Sequence, residues 1–172
     1  LYHLRPSLNF SLSAAHYDHG LRGEDSTRDA GFVEQFVSLC CGEQRLPDGR
    51  VLPPVKLYQE KGDVGKEATR TGAGIEETAR ILRYAFLRRA AQQAQANLIA
   101  TAHTADDNAE TILLHLSRGS GLRGLTGIAP RRDDLIRPLL TTTRHEIEDY
   151  LRYYALPHRE DRTNFDDTYA RN

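Results

Sequence analysis

This chain predicts an α/β fold with a mostly parallel sheet and helices on both faces, and three observations carry that reading. Short apolar runs at 10–15, 55–58 and 97–102 read as strands. Helical patterns separate and follow them, and such alternation builds βαβ units around a parallel sheet. His103, Asp106, Asp107 and Glu110 then fall where the third run hands over to a helix. In open parallel sheets that handover is the carboxyl edge, where ligands bind.

Composition frames the rest. At 172 residues, with 39% hydrophobic and 27% charged content, the chain fits one soluble domain. No apolar stretch approaches the ~20 residues of a membrane span, and no secretory leader pattern is visible. The only cysteines, Cys40 and Cys41, are adjacent and lack zinc or disulfide spacing, so a reducing, cytoplasmic setting is expected. Net charge is −1 but uneven: from Arg80 to His145 ten arginines face five acids. An arginine-rich middle suits phosphate, with a solvated helix face as the plainer alternative.

Taken in order, Phe10–Ala15 is the first strand, opening onto a loop that begins His16-Tyr17-Asp18-His19. A helix is expected from about Ser26, where Ser26-x-x-Asp29 is a capping pattern, with Phe32, Val33, Phe36, Val37 and Cys40 on its apolar side. Gly42 stops it, and Pro47-Asp48-Gly49 is a turn within a loop embellishment at 45–54. Val55–Tyr58 is the next strand, and 61–74 reads as a loop or short frayed helix. A long helix follows over 75–96, with Ile75, Ala79, Leu82, Phe86 and Ala90 as its stripe.

The run at 97–102 reads as a fully buried strand. After Thr104 comes a helix with Ala105, Ala109, Ile112, Leu113 and Leu116 at helical spacing, and then a glycine-rich loop at 119–127. In the apolar run 135–140, Pro138 argues against a central strand. Thr143-x-x-Glu146 caps a last helix that ends near Pro157.

Two readings compete at the acidic cluster. Thr104-x-x-Asp107 matches an N-cap with an acid three residues on. That explains one aspartate but not His103, both aspartates and Glu110 together. Glu110 lies four residues from Asp106 and three from Asp107, so like charges share a helix face at a cost of a few tenths of a kcal/mol each. A cation, an amine or a metal-bound phosphate beside them removes the conflict. His16 and His19 with Asp18 are candidates for a metal site or for hydrogen bonding within their loop.

The segments His103-x-x-Asp106-Asp107-x-x-Glu110-Thr111, Arg118-Gly-Ser-Gly-Leu-x-Gly-Leu125 and Arg137-Pro-Leu-Leu140 resemble the tRNA(Ile)-lysidine synthetase family of PP-loop ATP pyrophosphatases. His16-Tyr-Asp-His19-Gly-Leu-Arg22-Gly, the helix around Arg80 and Arg83, and the terminal stretch from Glu160 are similar to that family in the same order. The resemblance implies a Rossmann-like, adenine nucleotide alpha hydrolase-like fold. It also implies one catalytic domain over 1–172, truncated before Leu1 and after Asn172. The family's Ser-Gly-Gly-x-Asp-Ser phosphate loop does not occur in these residues. A chain that truly lacked it would be inactive as given.

What the resemblance implies for activity is a ligation that consumes ATP, uses Mg²⁺, and joins free L-lysine to the wobble cytidine of the CAU-anticodon tRNA(Ile). It implies His103, Asp106, Asp107, Glu110 and Arg137 as catalytic candidates, with Asp106 and Asp107 as candidates for Mg²⁺. His16, Asp18, His19, Arg80 and Arg83 are candidates for the nucleotide, and Arg118 and Arg123 for tRNA. A homodimer is a candidate assembly. The alternatives are a cytidine thiolase of the same group and a non-catalytic nucleotide- or tRNA-binding module.

Overall fold

Residues 1–21, 23–119, 121 and 125–159 are described by the structure, a computed structural model. They fall into two units: Leu1–Thr101 with Arg131–Ile136, and Ala102–Pro130 with Arg137–Asn172. The expectations placed on Arg22, Arg123 and the stretch from Glu160 onward lie outside the described residues.

The first unit opens with a helical turn, Tyr2–Leu4, that runs into α1 (Arg5–Leu8). Arg5 is 2% exposed, and its guanidinium donates to the carbonyl of Pro53 at 2.6 Å. Strand β1 is Ser13–Asp18, so it starts later than expected and runs on through His16, Tyr17 and Asp18. The residues expected to open a loop are therefore strand. The reason is pairing: β1 lies parallel to β4 (Lys56–Lys61), with Tyr17 opposite Glu60 and Asp18 opposite Lys61.

Helix α2 (Glu24–Cys40) begins at Gly23, whose φ of 51° turns the chain into the helix, and Ser26 sits inside the first turn and is not the cap. Its half-buried side carries Phe32, Val33, Phe36, Val37 and Cys40 at the expected spacing. The expected loop embellishment is a hairpin of β2 (Gln44–Arg45) and β3 (Val51–Leu52), closed by Gly49 donating to Leu46 O at 3.0 Å.

After β4 the chain forms α3 (Val64–Thr71), a helix capped at both ends where a loop or frayed helix was expected. Asp63 accepts the Lys66 N–H at 2.9 Å, and Gly72 ends the helix at φ 70°. Val64 and Ala68, four apart, give it a buried apolar turn, which holds so short a helix in place. Helix α4 (Ile75–Ala94) turns Phe86 and Ala90 onto Tyr17 and Tyr58, while Ile75 stays exposed. Burying a side chain such as Phe86 contributes roughly 1.5–3 kcal/mol.

Helices cover both faces of the β1·β4 pair. Tyr17 and Tyr58 meet α4 on one, and on the other Gln59 donates to Ala30 O of α2 at 3.2 Å.

The rest of this unit is a three-stranded sheet ordered β5 (Ile99–Ala100), β7 (Leu135–Ile136), β6 (Arg131–Arg132), with β5·β7 parallel and β6·β7 antiparallel. Two expectations change here. The run at 97–102 is not a fully buried strand: two residues pair, Ile99 is 8% exposed, and Leu98 is 44% exposed. As the edge of its sheet, β5 has one strand neighbour. The central strand is β7 despite Pro138, because it stops at Ile136 and the proline removes no ladder bond.

The second unit contains α5 (Ala105–Ser117) and α6 (Arg144–Tyr153), with the turn 137–142 leading into α6. On α5 the expected apolar stripe is split: Ala105 and Ile112 are half-buried, but Ala109, Leu113 and Leu116 are exposed. Leu113 and Leu116 are 65% and 50% exposed, while Asn108, Thr111 and Ile112 lie on the half-buried flank. Polar contacts made by the first turn set the helix phase.

Candidate functional site

In the first unit the two parallel strands end together, and the chain bends sharply at both ends. The Asp18 carboxylate is 7% exposed, accepts the Gly20 N–H at 2.8 Å, and has Lys61 Nζ at 3.7 Å. Its carbonyl accepts the Gly62 N–H at 2.8 Å. No side chain fits at the two glycines. A Cβ on Gly20 would sit 2.5 Å from Gly62 O, and one on Gly62 would collide with the Tyr17 hydroxyl. Burial, then the Glu60 carboxylate, pushes the Tyr17 phenol up from its ordinary value.

His16 lies on β1 with its Nε2 buried and without a hydrogen-bond partner. The His19 ring packs edge-on against Tyr17 at 5.1 Å. The structure thus brings His16, Asp18 and His19 to one strand end and adds Lys61, which sequence reasoning missed because it placed Lys61 in a loop or short frayed helix over 61–74 and not at the end of a strand. Among the described residues no group of three or more His, Cys, Asp or Glu is placed to hold a metal ion.

Arg80 and Arg83 are elsewhere on α4. Arg80 makes a two-pronged pair with Glu77 at 2.9 and 2.7 Å, and the Arg83 guanidinium stands 5.4 Å from the centre of the Tyr84 ring. Arg88 and Arg89 meet Asp134 and Glu60, at 3.9 and 2.6 Å. The fold thus sets acids from outside the arginine-rich segment, Glu77 and Glu60, against part of its excess charge.

In the second unit the first turn of α5 organises its surroundings. Asp106, Asp107 and Asn108 are consecutive, and each side chain accepts a backbone N–H from a different place. Asp106 Oδ2 accepts Arg144 N at 2.7 Å, where α6 begins. Asp107 Oδ2 accepts the Thr104 N–H and hydroxyl, both at 2.8 Å, completing a capping box. Asn108 Oδ1 accepts Ile128 N at 2.7 Å, at the end of the glycine-rich loop. The Ala105 N–H also reaches Thr142 O at 3.0 Å, so the amino ends of α5 and α6 are tied twice.

Electrostatics at this turn favours a charged Asp107. Burial pushes its carboxyl up, but the Thr104 hydrogen bonds and the positive charges of His103 and Arg144 outweigh that and hold it below the usual carboxylate range. His103 is half-buried just before the cap, and Glu110 stands exposed one turn on. The capping reading of Asp107 is therefore correct as geometry, and it leaves the second carboxylate oxygen outside the capping bonds.

Arg137 belongs to the same unit. Its backbone N–H donates to Pro130 O at 2.9 Å and its Nη1 to Ala129 O at 2.6 Å, while Nε is buried and without a partner. Arg137 is not among the described ion pairs; the nearby acid Asp134 pairs with Arg88. Arg118 is the residue at which α5 ends. Asn108 was not singled out in the sequence, although a poor helix former inside a helix signals a side chain with backbone work to do.

The first unit, with parallel strands under crossover helices, has the architecture of a nucleotide-using α/β class. A family profile described as PP-loop domain matches residues 1–172, and the chain belongs to that family, a Rossmann-like fold of the adenine nucleotide alpha hydrolase type that binds ATP. Three curated relatives are each named tRNA(Ile)-lysidine synthase. That of Clostridium tetani is 38% identical over 173 residues, covering 100% of this chain and 34% of the relative. That of Thermotoga maritima is 39% identical over 175 residues, covering 100% and 39%. That of Dehalococcoides mccartyi is 39% identical over 181 residues, covering 100% and 36%. The chain spans about a third of the length of these relatives.

Proposed function

We propose that this chain is the catalytic, ATP-using part of an enzyme that ligates L-lysine to the wobble cytidine of the CAU-anticodon tRNA(Ile), working in the cytoplasm. The observation that carries this reading is the α5 start. An ionised, capped Asp107 has His103 beside it, Glu110 follows one turn on, and Arg137 belongs to the same unit. Similarity over the full chain to relatives named for that reaction supports the choice of substrate.

The reaction has two steps. The cytidine C2 oxygen attacks the α-phosphorus of ATP and pyrophosphate leaves. The lysine ε-amine then attacks C2, and AMP departs with the oxygen. Arg137 aims its fork at the charge that develops on the phosphate. Glu110 holds the lysine ammonium and takes up the proton released when the amine bonds to carbon.

The donor set fits Mg²⁺, which takes hard oxygens and commonly binds through one or two carboxylates together with phosphate. Asp106 and Asp107 would hold it through the oxygens outside their N–H bonds. When bound it would neutralise phosphate charge. Of the remaining candidates, His16, Asp18 and His19 serve the nucleotide, and Arg118 and Arg123 meet tRNA phosphates. Arg80 and Arg83 add positive charge for the nucleotide.

The test follows labelled lysine into CAU-anticodon tRNA with ATP and Mg²⁺. It uses the chain alone and the chain joined to a relative's Ser-Gly-Gly-x-Asp-Ser segment. ATP-dependent incorporation by the joined protein is expected. No transfer, or transfer of cysteine sulfur in its place, refutes the reading.

A further inference from the structure

We propose that Asn108 is a positioning residue for Arg137, acting through the backbone strip 127–130; the inference rests on the reading of Arg137 as a nucleotide contact. Asn108 Oδ1 accepts the Ile128 N–H at 2.7 Å across twenty residues of sequence. The next two carbonyls of that strip hold Arg137: Ala129 O takes Nη1 at 2.6 Å and Pro130 O takes its backbone N–H at 2.9 Å. One path of hydrogen bonds therefore runs from the first turn of α5 to the guanidinium. Asn108 directly follows Asp107, so the same turn that presents the carboxylate also locates the cation.

Gly127 shows how closely the strip is seated. Its φ is +59°, and a Cβ there would collide with the Asn108 amide oxygen and lie 3.1 Å from Ile112 Cδ1. A residue with a side chain at 127 would displace the very oxygen that holds Ile128. Arg137 Nε is buried and without a partner, so the donors left for a ligand are those of the terminal nitrogens. A guanidinium fixed by Nη1 keeps its remaining donors aimed in one direction, which lowers the ordering cost of binding a phosphate oxygen.

The experiment measures ATP affinity by calorimetry, with Mg²⁺ present, for the joined protein in its parent form and as Asn108→Ala, Arg137→Ala and the double variant. Asn108→Ala should weaken ATP about tenfold (~1.4 kcal/mol) and should cost nothing further once Arg137 is alanine. Asn108→Asp, which keeps an acceptor for Ile128, should restore most of the affinity. Additive losses, or parent-like affinity in Asn108→Ala, overturn the proposal. Should Asn108→Ala fail to fold, Gly127→Ala breaks the same bond from the other side and takes its place in the cycle.

The heteronuclear NOE of the Arg137 Nε–Hε group, recorded without ligand, separates the two claims. A joined parent protein that binds no ATP refutes the nucleotide role of Arg137. In that case a fall in the NOE in Asn108→Ala or Gly127→Ala still upholds the positioning, and an unchanged NOE overturns it.

Discussion

The carboxylate of Asp106 accepts the backbone N–H of Arg144 at 2.7 Å, joining the amino ends of two helices that lie thirty-eight residues apart in sequence. An acid at a helix start is favoured by the exposed N–H groups and the macrodipole. Here one carboxylate serves the start of α6 from its place on α5.

Asp106→Ala should therefore cost roughly 1 kcal/mol in urea unfolding, typical of an intramolecular hydrogen bond. Asp106→Asn keeps an acceptor and should lose less. Parent-like stability in Asp106→Ala would show that the Ala105–Thr142 bond alone ties the two helices.

Both capping boxes should weaken in acid. For Asp107, burial opposes the shift, but the Thr104 hydrogen bonds prevail and hold the carboxyl below its ordinary value of 3.8. For Glu146, the backbone and hydroxyl donors of Thr143 hold it below 4.5. A depressed carboxyl contributes stability that is fully present above the ordinary value and lost as pH falls through the folded one. Thr104 and Thr143 amide protection should thus be constant from neutral pH down to about 5 and fall below pH 4. Protection that declines already between pH 7 and 6 would point to histidine in place of these acids.

Gly62→Ala should destabilise the first unit by ~1–3 kcal/mol, the usual cost of overpacking. Its Cβ would strike the Tyr17 hydroxyl and come within 2.7 Å of the ring carbon that bears it. Tyr17→Phe in the same chain should recover only part of the loss, because that ring carbon remains. An unchanged melting temperature in Gly62→Ala would mean that β4 shifts freely relative to β1.

Glu110 and Arg137 should separate function from stability. Glu110 is exposed, so Glu110→Gln should melt like the parent and yet abolish lysine transfer in the joined protein. Arg137→Lys keeps charge but not the planar fork, and transfer should fall at least tenfold with a small change in melting. Full activity in either variant removes that residue from the mechanism.

RNA affinity of the joined protein should weaken with salt in proportion to the phosphates neutralised. Changing Arg118 and Arg123 together to alanine should lower the slope of log Kd against log salt by about 2. A slope unchanged in the double variant would place the phosphate contacts on other arginines.

Local chemistry was legible from the sequence wherever a feature depends on near neighbours. The capping boxes at Thr104 and Thr143, the turn at Gly49 and the long helix from Ile75 follow from residues three or four apart, and the structure has them all. The acidic helix start and Arg137 were likewise visible as motifs. Tertiary structure decided what depends on distant partners. Pairing with β4 carried β1 through Asp18, a buried apolar turn made 64–71 a helix, and β7 became central because its ladder ends before Pro138. It also gave Asn108 its partner, since a hydrogen bond across twenty residues leaves no periodicity or spacing to read. A backbone N–H is the same group at every position, so only the folded chain determines which side chain it reaches.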